Sequence, residues 1–283
     1  KSGKTITLLE KLKKQGLTLE NCTSRIFQGL KTSADKIYVL DLINQTKTSL
    51  IGYSPHLDRE VEVEPELFHL LIKGTEMRPF TPLPAKRVVL FPYVNNGESM
   101  SLISENQLQK EFPKTYAYLK ENEKYLRGRE SGKMNHSKWY GYVYPKALDV
   151  ISLPKIITAD LAPRSSFLLD SDGQYFLLGG AAGGYGIIPN NNINSHYLLG
   201  LLNSRLLSFF ITSSGQQIES GYYSFEARFI RSTPIRPINF SDPAEKAMHD
   251  KLVSLVERML ELHKRSPRTP QEQEMVKREI EST

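Results

Sequence analysis

The chain has 283 residues, of which 39% are hydrophobic, and its formal net charge is +6 at pH 7. This length and apolar content allow one large or two smaller soluble domains, and they exclude a mainly disordered protein. Cys22 is the one cysteine, which excludes a disulfide framework and favours the reducing cytoplasm.

The sequence contains no signal peptide and no apolar run near the roughly 20 residues that cross a membrane. It begins at Lys1 and not at Met, so we expect a fragment of a longer protein. Residues 5–15 are predicted to form a basic helix that ends before Gly16. Alternating apolar residues then predict a hairpin of strands 37–42 and 49–53, and a further strand at 87–93.

The middle of the chain combines helices with a second group of strands. Residues 104–112 and 114–125 are predicted helices, and the second begins after Pro113, where a helix start is favoured. Strands are predicted at 155–159, 166–169 and 175–178, with a tight turn at 171–173. This order predicts an antiparallel or mixed sheet with inserted helices.

A long apolar helix is predicted at 197–211, where Asn194 or Ser195 is a plausible N-cap. Its predicted core residues recur at helical spacing: Leu198, Leu201, Leu202, Leu206 and Phe209. Residues 222–227 alternate like a half-buried strand, and Pro234 and Pro237 then stop sheet pairing.

The C-terminal region has a heptad-like spacing of apolar residues: Met248, Leu252, Leu255, Met259 and Leu262. Two interpretations stay open, because the spacing extends over only about two heptads. The helix is either a spacer or interaction helix, or an amphipathic helix packed on its own domain. A second polar helix is predicted at 271–281.

Motifs for enzymatic chemistry are weak in this chain. Residues 1–5, KSGKT, imitate the end of a phosphate-binding loop, but the upstream glycine and strand of that motif are missing. The glycine-rich run at 179–186 does not fit a dinucleotide fingerprint and predicts a flexible turn between strands. The alternative that this loop lies against DNA stays open, because one loop can serve both purposes. The six histidines lack zinc spacing, and there is no nucleophile elbow. The chain alone is therefore not expected to be an enzyme.

Four blocks, in a fixed order, resemble one known family. They are IFQGLKTSADKIYVL at 26–40, LLIKGTEMRPF at 70–80, VLFPY at 89–93, and the helix, aromatic strand and proline exit of 197–238. Together the blocks resemble the C-terminal specificity, or target-recognition, domain of TaqI-like adenine methyltransferases and type IIG restriction-modification enzymes. Recognition domains of type I specificity subunits are also similar. The resemblance extends over residues 17–238.

The resemblance implies an α+β fold with mixed, largely antiparallel twisted sheets, half-barrel-like, with inserted helices and a C-terminal helical hairpin or spacer. We expect a tail of an upstream domain at 1–16, a recognition domain at 17–240 and a helical spacer at 241–283. The implied function is sequence-specific recognition of duplex DNA. An upstream adenine-N6 methyltransferase domain of the same chain would perform the chemistry, and its Asn-Pro-Pro-Tyr motif is absent here.

The resemblance also implies that no cofactor binds this fragment, that S-adenosylmethionine serves the parent chain, and that Mg²⁺ is added if the parent cleaves DNA. Expected partners are duplex DNA and the methyltransferase domain, with no membrane. The oligomeric state stays open.

The excess positive charge is concentrated at 110–146, which holds nine basic and four acidic residues and eight aromatics. Basic side chains neutralise phosphates and aromatic planes stack on bases, while the alternative interpretation is a solvated basic helix face followed by a core strand. Residues of the types that read DNA define the predicted contacts: Lys31, Thr32, Ser33, Lys73, Arg78, Arg127, Arg129, Lys133, Arg164, Tyr185, Asn190 and Asn191. Arg127 and Arg129 are the preferred pair, whereas Asn203 and Arg205 are expected to be structural.

Two other functional classes remain open. Residues 3–5 raise the possibility of a nucleotide-binding fragment, which tight ATP binding would support. The heptad-like helix raises the possibility of a protein-interaction module. A stable homodimer without salt-dependent DNA affinity would support this second class.

Overall fold

A computed structural model of the chain describes residues 3–14, 16–180, 182–218, 221–265 and 267–283. The helices of the described part are α1 Gly3–Lys13, α2 Asp35–Tyr38, α3 Glu105–Glu111, α4 Pro113–Glu121, α5 Glu123–Gly132, α6 Ser195–Asn203, α7 Arg205–Ser214, α8 Ala227–Ile230, α9 Pro243–Lys264 and α10 Pro270–Ser282. The strands are β1 Leu17–Thr18, β2 Thr23–Gln28, β3 Val39–Gln45, β4 Leu50–Ser54, β5 Arg59–Val63, β6 Phe68–Ile72, β7 Arg87–Leu90, β8 Tyr93–Asn95, β9 Met100–Leu102, β10 Lys155–Ala159, β11 Leu161–Ala162, β12 Phe167–Asp170, β13 Tyr175–Leu177, β14 Gly184–Pro189, β15 Tyr223–Ser224 and β16 Pro234–Ile235.

Two sheets organise the chain. The first has the strand order β12-β10-β14-β2 and is antiparallel throughout. The second has the order β13-β6-β7-β3-β4-β5, in which only β13 and β6 run parallel. Helices α3 to α5 are inserted between the strands of the two sheets in the sequence. The predicted α+β fold with largely antiparallel sheets is confirmed.

The two sheets are joined where β2 leaves the first sheet. Leu30 forms a parallel bridge with Leu178, and the Gly29 N–H donates to the Gly184 carbonyl over 3.0 Å. A Cβ atom on Gly29 would lie 2.4 Å from the Leu177 and Leu178 carbonyl oxygens, so the close approach requires glycine. We call residues 179–184 the glycine junction; its residue 181 lies outside the described part.

A buried ion pair fixes the path from the first sheet to the second. Lys155 Nζ lies 2.7 Å from Asp170 Oδ2, and the two side chains are 0% and 3% exposed. Asp170 also accepts from the Gln174 and Tyr175 N–H groups, which holds the predicted tight turn at 171–173. Burial lowers the pKa of Lys155, and the Asp170 carboxylate opposes that shift.

Two predicted helices are broken in the structure. The helix predicted at 197–211 divides into α6 and α7, because Ser204 is extended and its hydroxyl accepts from the Leu207 N–H. Leu206, a predicted core residue, is 46% exposed as a result. The helix predicted at 114–125 likewise divides at Asn122 into α4 and α5. The strand predicted at 222–227 is reduced to β15 and is followed by α8.

Helix α9 packs on α6, which agrees with the second interpretation of the heptad-like spacing. A Cβ atom on Gly200 of α6 would lie 2.8 Å from Val256 Cγ2 of α9, so the two helices are in close contact. Val256 and Leu262 are 2% and 1% exposed, whereas Met248, the first residue of the spacing, is 53% exposed.

The domain boundaries at 16/17 and 240/241 stay predictions. Strand β1 pairs with β16, which brings residues near both ends of the predicted recognition domain together. Lys1 and Ser2 of the KSGKT motif and Gln15, the predicted end of the first helix, lie outside the described residues. The side chains of residues 3–5 are not described either.

Candidate nucleic-acid interface

Loops from both sheets meet at the glycine junction. β2 and β10 end beside the start of β14, since Gln28 pairs with Tyr185 and Ala159 pairs with Gly184. β6 ends there as well, because the Gly74 N–H donates to the Ala182 carbonyl over 2.9 Å. Several loops therefore lie together where these strands end. The two sheets hold these loops in place, so polar side chains on the loops have a rigid support.

A shallow groove lies on one side of the glycine junction. It has a volume of about 350 Å³, and its lining includes Lys31, Ser33 and Gly179 together with Tyr125 and Tyr144. The two tyrosines are 50% and 45% exposed. The groove thus combines a lysine with exposed aromatic rings. In proteins that bind nucleic acids, lysines contact phosphates and aromatic rings stack on bases.

The cations around the glycine junction form no close ion pairs in the described part of the chain, although the charge of Lys31 acts on Asp160 and opposes the rise in the pKa of that carboxyl group. Among the described residues, no ion pair joins a carboxylate to Lys31, Lys73, Arg78 or Arg164. Arg78 donates only to backbone carbonyls of its own turn, those of Thr75 and Met77. Unpaired cations keep their charge available for an external anion, so this end of the molecule is suited to phosphate groups.

The basic stretch at 110–146 differs, because several of its cations are already paired. Lys114 contacts Glu62, and Lys120 and Arg127 both contact Glu123 on α5. The Arg127 guanidinium also lies 5.2 Å from the centre of the Trp139 ring. Arg127 is thus a predicted DNA contact whose side chain is held within the fold, although it stays partly exposed.

Arg129, the other preferred residue, is a correction. It is 5% exposed, and its guanidinium donates to the carbonyl oxygens of Leu126, Thr32, Trp139 and Gly141. The guanidinium N–H groups thus tie α5 to the loop that contains Thr32 and to the loop that contains Trp139 and Gly141. Its buried position excludes direct contact with DNA in this conformation, and its function is to stabilise the fold.

Several aromatic residues predicted to stack on bases are also buried. Trp139 is 0% exposed, and Tyr118, Tyr140 and Tyr142 are each at most 4% exposed. They form core contacts; Tyr142, for example, lies edge-on to Tyr38 at 5.1 Å. The core interpretation is therefore correct for these four residues, and Tyr125 and Tyr144 remain as exposed candidates.

The turn at 31–33 divides into one buried and two exposed residues. Thr32 is 0% exposed, and its hydroxyl donates to Asp35 and accepts from the Ala34 N–H. Thr32 thus stabilises the turn and is not a surface contact. Lys31 and Ser33 are exposed, and Ser33 has a left-handed backbone with φ of 54°. Both exposed residues line the groove beside the glycine junction.

Tyr185 lies on β14 beside two carboxylates. It is 7% exposed, its hydroxyl accepts from Gln28 Nε2 over 3.3 Å, and burial raises its pKa to about 12. Burial also raises the pKa of Asp160, and the negative charge of Glu226 raises it further. The Gln28 carboxamide is half-buried and is of a type that hydrogen-bonds base edges, so it adds a polar group to the site that the sequence patterns did not indicate. Tyr185 and Asp160 are each only 7% exposed, so both are buried side chains in this conformation and not surface contacts.

The remaining predicted contacts are Asn190, Asn191 and Lys133, and the two asparagines lie away from the glycine junction. Asn190 and Asn191 follow the far end of β14, roughly 16 Å from Tyr185 at the rise of a strand. Asn190 donates to the Asn21 carbonyl and so holds the chain near β2. Lys133 is exposed and follows a left-handed segment at residues 130–132.

Asn203 and Arg205 are both predicted to be structural, and in the described part of the chain the side chain of Asn203 is hydrogen-bonded within the fold whereas that of Arg205 is not. The Asn203 amide pairs with both the N–H and the carbonyl of Phe167, at 2.9 Å each, and so stabilises β12 from its edge. Arg205 is exposed, and no partner of its guanidinium is found among the described residues. The expectation for Arg205 was wrong, because its charge at the start of α7 is unpaired.

Within the described ranges, no group of three or more His, Cys, Asp or Glu side chains could hold a metal ion. No described helix is both long and apolar enough to cross a membrane.

Comparison with known proteins adds an independent result. Residues 103–235 match the family model of the TaqI-like C-terminal specificity domain. The chain is 25% identical over 244 residues to the type II restriction enzyme and methyltransferase RM.Eco57I of Escherichia coli, a match of 82% of this chain and 24% of that protein. It is 22% identical over 240 residues to the type II methyltransferase M.BstVI of Geobacillus stearothermophilus, 83% of this chain and 37% of that protein. The chain thus spans about a quarter to a third of these relatives.

Proposed function

We propose that the chain recognises a specific sequence in duplex DNA, because residues 103–235 match the family model of the TaqI-like C-terminal specificity domain. The observation that supports the site is the group of unpaired cations around the glycine junction. DNA is the polyanion that such a surface binds, and loops on two joined sheets hold reading side chains in place.

The proposed division of labour follows from side-chain chemistry. Lys31 and Lys73 are the groups proposed to contact DNA at the glycine junction, since lysine serves both phosphates and guanine edges. Gln28 is a candidate reader of adenine, because a carboxamide both donates to and accepts from its edge. Asn190 and Asn191 would contact DNA only if the duplex extends beyond the junction, whereas Lys133 is an exposed candidate for a phosphate contact.

The first experiment selects bound duplexes from a random pool with the 283-residue chain and then measures their affinity. We expect a recurring sequence, and we expect a Lys31→Gln/Lys73→Gln variant to bind about tenfold or more weakly, with a smaller salt dependence. Lys114→Gln removes the same type of charge from the stretch at 110–146, where Lys114 is paired with Glu62. It should bind within about twofold of the wild type, since surface changes of this kind have small effects.

A selection without any recurring sequence, or an affinity that does not change with salt, would contradict the proposal. If Lys114→Gln weakened binding more than the double variant did, DNA would bind at 110–146 and not at the glycine junction.

We further propose that the chain works within a longer protein that methylates adenine at N6, with or without a nuclease activity in the same chain. Methyltransferase activity in the longer protein is proposed from the names of the two relatives and from the small share of their length that the chain spans. The choice of adenine N6 is proposed from the resemblance of the four sequence blocks to TaqI-like adenine methyltransferases. In that arrangement the chain selects the site, and a methyltransferase domain extrudes the target base and uses S-adenosylmethionine. Mg²⁺ would be needed for cleavage. Sequencing upstream of Lys1 tests the idea, because an open reading frame without an Asn-Pro-Pro-Tyr type motif would contradict it.

A further inference from the structure

Two adjoining cavities without carboxylates lie beside the candidate interface. The first has a volume of about 490 Å³, and three arginines line it: Arg78, Arg164 and Arg205. The second, of about 440 Å³, shares Arg78 and Arg164 with the first and extends to Tyr222. No Asp or Glu is among the described residues that line either one. We call the first of them the arginine cavity.

The hydrogen-bond donors of the arginine cavity are largely unused. Within the described chain, the guanidinium groups of Arg164 and Arg205 have no hydrogen bond and no ion pair. Arg78 uses one of its terminal nitrogens on backbone carbonyls. Guanidinium donors in a fork geometry match the oxygens of phosphate, and no internal carboxylate competes for them here.

A buried hydroxyl group provides a second, independent observation. Ser165 lines the arginine cavity and is 4% exposed, and its hydroxyl has no hydrogen-bond partner in the described part of the chain. Buried polar groups are almost always paired, so this hydroxyl is a hydrogen-bonding group that a ligand or an ordered water in the cavity would satisfy. Ser208 also lines the cavity and accepts from the Ser165 N–H, which leaves its own hydrogen available.

The cavity also lies at the start of a helix. Arg205 is the first residue of α7, and a ten-residue helix carries a partial positive charge at its N-terminus. Met259 and His263 of α9 also line the cavity. A ligand here would therefore contact both the sheet region and the C-terminal helix.

We propose that the arginine cavity binds a phosphate group of the DNA backbone and so connects the bound duplex to α9. This inference rests on the proposed function and goes beyond it, because it assigns Arg164 and Arg205 to phosphate and not to base recognition. Such contacts increase affinity for every sequence equally and carry no sequence information.

The test compares the wild-type chain with an Arg164→Gln/Arg205→Gln variant on the selected duplex and on a duplex of unrelated sequence. We expect the variant to bind both duplexes more weakly by the same factor. The slope of the logarithm of affinity against the logarithm of salt should decrease by about 1 for each phosphate that the variant no longer binds. Arg59→Gln is the control, because Arg59 is an exposed arginine on β5 that is paired with Glu121.

A second measurement follows α9 directly. In the wild type, DNA should slow amide hydrogen exchange at residues 259–263, and in the double variant this slowing should disappear even at saturating DNA. Thermal unfolding without DNA should be similar for the two proteins, since both arginines are exposed.

Three results would overturn the inference. Equal affinity and slope in the two proteins would show that no phosphate of the DNA backbone binds at the cavity, while DNA recognition itself would stand. A weakening confined to the selected duplex would assign the arginines to base reading. If inorganic phosphate stabilises the wild type but not the variant while DNA binding is equal, the cavity serves a free phosphate compound. Failure of the wild type to bind any DNA would instead contradict the proposed function.

Discussion

At the scale of single residues, His69 makes the stability of the protein depend on pH. Its ring stacks on Phe176 at 4.1 Å and lies edge-on to Phe91 at 5.6 Å, and burial lowers its pKa from 6.5 to about 4. The folded protein therefore keeps His69 neutral in a range where the unfolded chain protonates it. Its contribution to stability is complete above pH 6.5 and is lost as the pH falls toward 4.

His69→Phe removes this titration while it preserves aromatic stacking. Between pH 7 and pH 4, we expect the unfolding free energy of the wild type to fall by up to about 3 kcal/mol more than that of the variant, since one pKa unit corresponds to about 1.4 kcal/mol. Urea unfolding at several pH values measures the difference. Parallel pH profiles for the two proteins would show that His69 is not held neutral.

Single residues also differ in whether their partners can be predicted from the sequence. The pairing of Arg127 with Glu123 is visible in the sequence, because the two residues are four positions apart on a helix. The burial of Arg129 is not, because its acceptors include the Thr32 carbonyl, 97 residues away. A count of charges thus located the excess at 110–146 correctly, but it could not tell paired cations from the unpaired ones around the glycine junction.

At the scale of elements, apolar spacing predicted where most strands and helices lie but not where they break. β10 was predicted at 155–159 with the bounds that the structure shows. The break between α6 and α7 was missed, because leucines continue at helical spacing through Ser204 while its hydroxyl caps a new helix. A serine within an apolar pattern ends one helix and caps the next only when its backbone is extended. Tertiary packing determines whether the backbone is extended there.

Helix α9 provides a prediction that separates its two interpretations. Val256 is buried against α6, so Val256→Ala should lower the unfolding free energy by about 2 kcal/mol through reduced burial and a cavity. Met248→Ala changes an exposed residue of the heptad-like spacing and should have an effect within about 0.5 kcal/mol. Denaturant unfolding with sedimentation analysis provides both readouts. A larger effect of Met248→Ala, together with a change of oligomeric state, would favour the interaction helix.

At the scale of the whole molecule, one short segment connects structure and proposed function. The glycine junction carries the hydrogen bonds that join the two sheets, and the unpaired cations lie around it. The family resemblance located the opening turn at 26–40 and the block at 70–80, yet neither pattern shows that these segments meet at the junction. That meeting depends on backbone contacts between residues about 150 positions apart, such as Leu30 with Leu178.

Gly183→Ala tests this connection. A Cβ atom at Gly183 would lie 1.9 Å from the Leu178 carbonyl oxygen, which accepts from the Gly184 N–H, so the backbone must shift. We expect stability to fall by about 1–3 kcal/mol, as for other overpacked sites, and DNA affinity to fall in parallel because the loops move together. Gly16→Ala is the matched control, since no atom lies within 4 Å of its added Cβ and both properties should be retained. Denaturant unfolding and DNA titration of the same samples measure both properties. A stable Gly183→Ala protein with full DNA affinity would show that the cations act independently of the glycine junction. A joint decrease in stability and affinity would show that the glycine junction supports both the fold and DNA recognition.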